Sequence, residues 1–178
     1  MIIMTQPHVS LKIHNEIRGR IPPEGALIDA ISGSVAVILR KLNLTADPSR
    51  IEVSVTITND PSIRLLNAKY RGIDSPTDVL SFPLLTDLTF ESDRGDNLPP
   101  PISIGDIVIS LDTVKRRSAE REQPLAERFI ECFIHGILHL LGHDHIDETG
   151  RISMERVEDE LFPEVMSYFA ELGWDEKS

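Results

Sequence analysis

Three things are scarce in this sequence: cysteine, long apolar runs and positive charge. The single cysteine, Cys132, cannot form an intrachain disulfide, which excludes a disulfide-held scaffold and fits a reducing compartment. No apolar run reaches the roughly 20 residues that cross a bilayer, and the apolar start at residues 1–4 is too short for a secretory signal. We therefore expect a cytoplasmic protein without a membrane partner.

The shortage of positive charge bears on nucleic-acid binding. The chain has 18 Lys and Arg residues against 29 Asp and Glu residues, a net charge of −11, whereas phosphate-binding proteins normally present a basic face. The excess of acidic residues is concentrated near the C-terminus. From Asp144 onward there are eleven acidic and three basic residues, which contribute −8 to the net charge. A basic cluster remains before it, formed by Lys115, Arg116, Arg117, Arg121 and Arg128. The cluster predicts either a local phosphate-binding patch or a solvated helix face.

Length and pattern predict one α+β domain over residues 1–178, without repeats or linkers. Alternating apolar residues predict strands at 9–13, 51–57 and 104–110 and a short strand ending at Pro83. Helical spacing predicts helices at 24–42, 60–70, 111–122, 124–141 and 152–172. Residues 84–103, which include three consecutive prolines, predict a long loop. Because strands and helices follow no strict βαβ order, we expect a small mixed central sheet packed with helices.

Four of the six histidines lie in the most apolar part of the chain. Apolar residues recur there at helical spacing, and Pro124 and Gly142 suit the first helical position and the residue just past the last one. The pattern predicts a helix with His135 and His139 one turn apart on the same side. Gly142 can adopt a left-handed conformation at low cost, so the chain can reverse there and bring His145 back over both histidines.

Three convergent imidazoles are typical of a catalytic zinc site. Nitrogen ligands in a tetrahedral array suit Zn²⁺, and three protein ligands leave the fourth position open for water or substrate. We therefore predict one zinc ion held by His135, His139 and His145. The alternative is that these are hydrogen-bonded core histidines. Cys132, one turn before His135, is interpreted as a buried thiol rather than as a further ligand.

The spacing of the three histidines and of Gly142 is also that of the metzincin protease motif HExxHxxGxxH. One position differs, because this chain has Gly136 where those proteases have a glutamate as general base. The sequence therefore predicts the zinc site without the proteolytic carboxylate beside it. Met154, nine residues beyond His145, lies in a predicted helix, so we interpret it as a core residue rather than as the methionine of a metzincin turn.

Three segments together resemble a known family. They are NAKYRGIDSPTDVLSFP at residues 67–83, GDI at residues 105–107 and HGILHLLGHDH at residues 135–145. In combination they closely resemble the YbeY family of bacterial rRNA maturation endoribonucleases. The resemblance extends from about residue 51 to the acidic C-terminal helix. It implies a compact α+β domain with the metal site at the end of a helix in a cleft.

The resemblance also implies a function and the residues that carry it. The metal-binding histidines of the family correspond to His135, His139 and His145, and its essential arginine corresponds to Arg71. The implied activity is zinc-dependent cleavage of single-stranded RNA in rRNA maturation, at the 3′ end of 16S rRNA, and in 70S ribosome quality control. The implied partners are single-stranded rRNA, the ribosome or its small subunit, and a ribosomal protein or an assembly GTPase.

The chemistry expected of these groups follows from charge. A zinc ion acidifies its bound water and polarises a phosphoryl oxygen, so no protein carboxylate is needed to make the nucleophile. A guanidinium can hold the charge that develops on phosphoryl oxygens through two parallel hydrogen bonds, which is the role we expect for Arg71. The alternative for Arg71 is a structural salt bridge to Asp74 or Asp78.

Several alternatives stay open at this point. His143 can compete with His145 as a ligand or lie beyond the metal's own ligands, and Asp144 and Asp78 are candidates for orienting an imidazole through its free N–H. A metallohydrolase of another substrate, such as a peptidase, is a second possible function, although Gly136 is evidence against it. A third is a zinc-stabilised ribosome-assembly factor without nuclease activity. The acidic C-terminal segment agrees with that function, because acidic surfaces bind basic ribosomal proteins readily.

Overall fold

The computed structural model describes residues 6–44, 47–84, 101–143 and 147–174. Within these ranges the strands are β1 His8–Ile13, β2 Ile51–Thr58, β3 Val79–Pro83 and β4 Ile102–Ser110. The α-helices are α1 Glu24–Lys41, α2 Asp60–Arg71, α3 Leu111–Glu120, α4 Leu125–Leu140 and α5 Glu148–Phe169. Two short 3₁₀ helices are Asn15–Arg20 and Pro48–Arg50. None of the described helices is long and apolar enough to cross a bilayer.

The strands form one mixed sheet in the order β1-β2-β4-β3. β1 and β4 pair parallel to β2, whereas β3 pairs antiparallel to β4. Along β2, the apolar residues Ile51, Val53, Val55 and Ile57 are buried and alternate with more exposed polar ones, as expected for a strand with one face on the core. This mixed sheet packed with helices confirms the predicted α+β class.

Helices cover both faces of the sheet. On one face, α1, α4 and α5 enclose the main core with Phe129, Phe133 and Phe169 at its centre. On the other face, α2 covers β3 and β4 through a small cluster of Ile63, Leu80 and Val108. The sheet is therefore the middle layer between α2 and α4.

Two neighbouring residues of β3 contact these two layers. The Ser81 hydroxyl donates a hydrogen bond to the Gly136 carbonyl of α4 at 3.2 Å. The Phe82 ring packs edge-on against Tyr70 near the end of α2, with the ring centroids 5.1 Å apart. Since successive side chains of a strand point to opposite faces, α4 and the C-terminal end of α2 approach β3 from opposite sides.

The predicted bounds of β4 and of the loop before it need correction. β4 begins at Ile102, inside the stretch 84–103 that the sequence predicted as loop, because its pairing with β2 continues to Ile51. Residues 85–100 of that predicted loop lie outside the described residues.

Two helix starts also differ from the prediction. α5 begins at Glu148 rather than at residue 152, because the Asp147 carboxylate caps it and accepts a hydrogen bond from the Gly150 N–H at 2.7 Å. Pro124 occupies the N-cap position of α4 instead of the first helical position. Both differences concern only where the helix begins, so they do not change which residues of α4 or of α5 share a face.

Candidate metal centre and cleft

The two histidines of α4 converge as the helical spacing predicted. The Nε2 atoms of His135 and His139 lie 3.1 Å apart, and the rings are nearly perpendicular. Two nitrogens bound to one tetrahedral zinc ion at the usual bond length would be about 3.3 Å apart. The positions of these two donor atoms therefore fit a shared zinc ion.

The turn after α4 has the predicted left-handed glycine. Gly142 has φ of +81°, and the N–H groups of Gly142 and His143 donate to the carbonyls of His139 and Leu138. His145 and Asp144 lie outside the described residues, so the third ligand stays a prediction. In the part of the chain that the structure describes, no three metal-ligating side chains lie together.

His143 is the last described residue of this turn. It is half-buried, and burial lowers the pKa of its imidazole below the ordinary value, which favours the neutral ring. Both predicted roles of His143, as a rival ligand and as a neighbour of the metal's own ligands, stay predictions.

Glu158 of α5 contacts the first histidine. Its Oε1 lies 2.7 Å from His135 Nδ1. An ionised carboxylate can only accept a hydrogen bond, so this contact assigns the proton to Nδ1 and leaves the lone pair on Nε2. Sequence reasoning had considered Asp144 and Asp78 for such a contact and missed Glu158, because nothing in the local pattern distinguishes it from the other carboxylates of α5.

Gly136 has a packing reason for being glycine. A Cβ placed there would lie 3.1 Å from Ile107 Cγ2 and 3.3 Å from Ser81 Oγ, so α4 lies close to the sheet at this residue. A side chain at position 136 would point at the sheet. The position that carries the general base in metzincins therefore cannot present a carboxylate to the cleft in this fold.

A cleft of about 730 Å³ opens beside His135 and is lined by residues of α3, α4 and α5 and of the end of α2. His135 lies on its wall. The guanidinium groups that line it belong to Arg71, Arg117, Arg121 and Arg128. The carboxylates that line it belong to Asp78, Glu127, Glu131, Glu155, Glu158 and Asp159. The cleft thus brings the predicted Arg71 and His135 into one site.

Arg71 differs from its neighbours in having no counter-ion in the described part of the chain. It is the exposed last residue of α2, just before Gly72, which ends the helix with φ of +72°. The two carboxylates that were alternative partners for Arg71 bind other arginines. Asp74 accepts two hydrogen bonds from Arg64, at 2.7 and 2.8 Å, and Asp78 accepts from Arg117 and Arg128. The structural salt bridge considered for Arg71 is therefore not formed.

Asp78 anchors two arginines instead of an imidazole. Its Oδ2 accepts hydrogen bonds from Arg117 and from Arg128, the latter at 2.5 Å. Burial alone would raise the pKa of Asp78, but the charge of Arg117 and the hydrogen bond from Arg128 outweigh it and hold the pKa below its ordinary value. Among the described residues its side-chain hydrogen bonds go to these arginines, to Cys132 and to its chain neighbours, so a role for Asp78 in orienting a metal ligand stays a prediction.

Cys132 is a buried thiol, as predicted. Only 2 % of the residue is exposed, and its Sγ lies 3.6 Å from Asp78 Oδ2. Burial and the nearby carboxylate raise the pKa of the thiol to about 12, so it stays protonated and is a poor metal ligand or nucleophile. Met154 is also buried in the main core, which confirms its packing role.

The predicted basic cluster is divided between two environments. Arg117, Arg121 and Arg128 line the cleft, whereas Arg116 pairs with Asp60 at 2.9 Å and does not line it. Within the cleft, Arg117 and Arg128 are bound to Asp78, and Arg121 lies 3.7 Å from Glu131. The cluster is thus mainly an ion-pair network, and not the free phosphate-binding patch that one interpretation of the sequence allowed.

Comparisons with known proteins agree on one family. The family model described as Endoribonuclease YbeY matches residues 13–166. A protein named Endoribonuclease YbeY from Persephonella marina is 39 % identical over 144 residues, which cover 79 % of this chain and 84 % of that protein. Another of the same name, from Heliobacterium modesticaldum, is 44 % identical over 111 residues, which cover 62 % of this chain and 67 % of that protein.

A solved structure shares the fold. The chain matches a solution structure from Thermotoga maritima with a TM-score of 0.59 and 24 % identity, and the match covers 91 % of both chains. At this identity the likeness supports the fold alone.

Proposed function

Since the chain belongs to the YbeY endoribonuclease family, we propose that it is a zinc-dependent endoribonuclease whose reaction takes place in the cleft between His135 and Arg71. The observation that carries this proposal is that both residues line one cleft, with the His135–His139 nitrogen pair at a spacing that fits zinc. His145, from the same motif, is the third proposed ligand.

The proposed roles divide between the metal site and the arginine. When bound, zinc supplies Lewis-acid polarisation of a phosphoryl oxygen and an acidified water. His135 and His139 would hold it through Nε2. Arg71 contributes a guanidinium that forms no ion pair among the described residues. It can therefore bind two non-bridging phosphate oxygens at once without first breaking such a pair. Because charge on those oxygens grows during cleavage, Arg71 stabilises the transition state more than the bound RNA.

The substrate we propose is single-stranded rRNA, at the 3′ end of 16S rRNA in the cytoplasm, with the ribosome presenting it. The net charge of −11 disfavours tight binding of free RNA, so docking on the small subunit through a ribosomal protein or an assembly GTPase would bring the strand to the cleft. The exposed acidic side chains of α5, including Glu155, Asp159 and Glu160, are suited to a basic partner.

The two competing functions are less well supported. A peptidase with its general base at position 136 is disfavoured because that position points at the sheet. An assembly factor without nuclease activity agrees with the acidic surface of α5. It gives no role to Arg71, which lines the same cleft as His135 and has no counter-ion among the described residues.

Cleavage of an end-labelled single-stranded RNA tests the proposal directly. The zinc-loaded wild type should cut, and Arg71→Ala should lose at least about 100-fold in rate while it keeps its zinc, since one preformed donor to the developing charge is removed. Arg71→Lys should recover little, because an ammonium cannot form the two parallel hydrogen bonds. His139→Ala should lose both zinc and cleavage.

Arg64→Ala is the matched control, because Arg64 is also on α2 but is paired with the exposed Asp74. It should cut like the wild type. If Arg71→Ala cuts at the wild-type rate, the role of Arg71 is wrong. If His139→Ala without zinc also cuts equally, the activity is a contaminant and this site is not a nuclease centre.

A further inference from the structure

The carboxylates on the cleft walls have different partners. Asp78 binds Arg117 and Arg128, and Glu155 binds Arg151 at 2.6 Å. Glu158 instead lies 2.7 Å from His135 Nδ1. We propose that Glu158 is a positioning residue of the metal site, which fixes the tautomer and the ring orientation of His135 so that its Nε2 is ready to bind the ion. This inference rests on the metal site of the proposed function.

The location of Glu158 on α5 is unusual for a charged residue. Met154 and Leu161, four residues before it and three after, are 2 % and 1 % exposed and belong to the main core. Residues at this spacing share one face of a helix, so Glu158 lies on the core-facing stripe of α5. Its side chain is only 28 % exposed. A carboxylate at such a position requires a partner, because partial burial of an unpaired charge is costly.

The packing of α5 on α4 makes this contact well defined. Phe169 of α5 lies against Phe129 and Phe133 of α4, with ring centroids 6.1 and 6.4 Å apart. Those contacts hold the C-terminal end of α5 against α4, and Met154 and Leu161 pack into the same core on either side of Glu158. The carboxylate of Glu158 is therefore held beside His135 by the core and not by a flexible loop.

The chemistry of the contact favours metal binding. A carboxylate that accepts the Nδ1–H of a histidine keeps the Nε2 lone pair available and raises its basicity as a ligand. In His135 that Nε2 is the atom 3.1 Å from His139 Nε2. Removal of such an outer partner typically weakens metal binding about 10- to 100-fold.

Asp159 provides a matched control. It is the next residue of α5, is exposed and lines the same cleft. No hydrogen bond joins it to a histidine within the described ranges. Replacement of Asp159 by asparagine removes one negative charge near the metal site and leaves the contact between Glu158 and His135 in place.

The test is the zinc dissociation constant of the purified full chain, measured by competition with a chromophoric chelator. Glu158→Ala should bind zinc about 10- to 100-fold more weakly than the wild type, and Asp159→Asn should bind it within about twofold. Glu158→Gln should fall between them, because the amide oxygen still accepts the Nδ1–H but the charge is lost. Cleavage by Glu158→Ala should return towards the wild-type rate when zinc is raised to saturation.

Three results would overturn the inference, and they are distinguishable. Wild-type zinc affinity in both Glu158 variants would show that the contact does not position the ligand. Normal affinity in Glu158→Gln with no cleavage at saturating zinc would make Glu158 a group that acts on the substrate. Failure of the wild type itself to bind zinc would remove the proposed metal site and the inference together.

Discussion

At the scale of single residues, Asp78 decides which arginines of the cleft are available to a substrate. It is 7 % exposed and binds the guanidinium groups of both Arg117 and Arg128. Arg128, whose side chain is 11 % exposed, also donates to Glu131 at 2.7 Å. Both arginines are therefore held in an ion-pair network. Arg71 has no ion-pair partner in the described part of the chain, so it can bind a phosphate without breaking an existing pair there.

Replacement of Asp78 by asparagine should destabilise the protein by about 3 kcal/mol at neutral pH. The substitution leaves the charge of Arg128 buried with less compensation, and loss of one partner of a buried ion pair typically costs about 3–5 kcal/mol. We expect the lower end because Glu131 still contacts Arg128. Urea unfolding measures the change. Asp74→Asn, which removes an exposed ion-pair partner of Arg64, is the control and should have a much smaller effect.

The loss of stability caused by Asp78→Asn should depend on pH. The pKa of Asp78 is held below its ordinary value in the folded protein, so its ionised form stabilises the fold above the unfolded pKa of about 3.9. That contribution is lost as the pH falls through the lower folded pKa. The stability difference between wild type and Asp78→Asn should therefore shrink below about pH 4. A difference that stays constant from neutral pH to acid would contradict this role for the ionised carboxylate.

At the scale of elements, α4 serves the core and the site with different faces. Gly136 packs against the sheet, Phe129 and Phe133 lie in the main core, and His135 and His139 sit half-buried at its surface. β4, which packs against α4, must also lie close to this helix. At Gly105 of β4, where the register with β2 shifts, φ is +137°. The nitrogen pair is therefore positioned by a helix that two glycines allow to lie near the sheet.

Gly105→Ala should destabilise the fold by more than about 2 kcal/mol, because it combines a strained φ with a clash. A Cβ at this position would lie 2.3 Å from the Phe82 carbonyl oxygen of β3 and 3.0 Å from Leu140 Cδ2 of α4. Urea unfolding measures the loss. Gly25→Ala in the first turn of α1 is the control: it meets no atom within 4 Å and should be neutral or slightly stabilising. Equal stability of both variants would show that β4 adjusts without cost.

At the scale of the whole molecule, the cleft carries both signs of charge. Its arginines are accompanied by Asp78, Glu127 and Glu131, and α5 adds the carboxylates of Glu155, Glu158 and Asp159. With a net charge of −11 on the chain, an RNA strand meets attractive charge only locally. Affinity for free RNA should be low, and few phosphates should be contacted.

The salt dependence of RNA binding tests this charge distribution. Each phosphate contact to a single strand contributes about 0.7 to the slope of log Kd against log salt, so three or fewer contacts give a slope of at most about 2. Fluorescence anisotropy of a labelled single strand, with zinc-free protein to prevent cleavage, measures it. Arg71→Ala should lower the slope by about 0.7. A slope above about 4 would show a broad basic surface that the cleft does not provide.

The sequence by itself determined what depends on local pattern. Helical spacing predicted α4 and the approach of His135 to His139, and Gly142 predicted the turn after α4. The three segments at residues 67–83, 105–107 and 135–145 indicated the family, which the family model confirms. Helix capping and hydrophobic periodicity depend on residues that are close in sequence, so these features can be predicted from a single sequence.

Tertiary structure alone decided the pairings between distant residues. The contact of Glu158 with His135 depends on how α5 packs on α4, and the start of β4 depends on its pairing with β2. The reason for Gly136 likewise lies in Ile107 and Ser81 across the sheet. Such contacts join segments that are far apart along the chain, and their distances are set by the packing of the whole core, which no local pattern encodes.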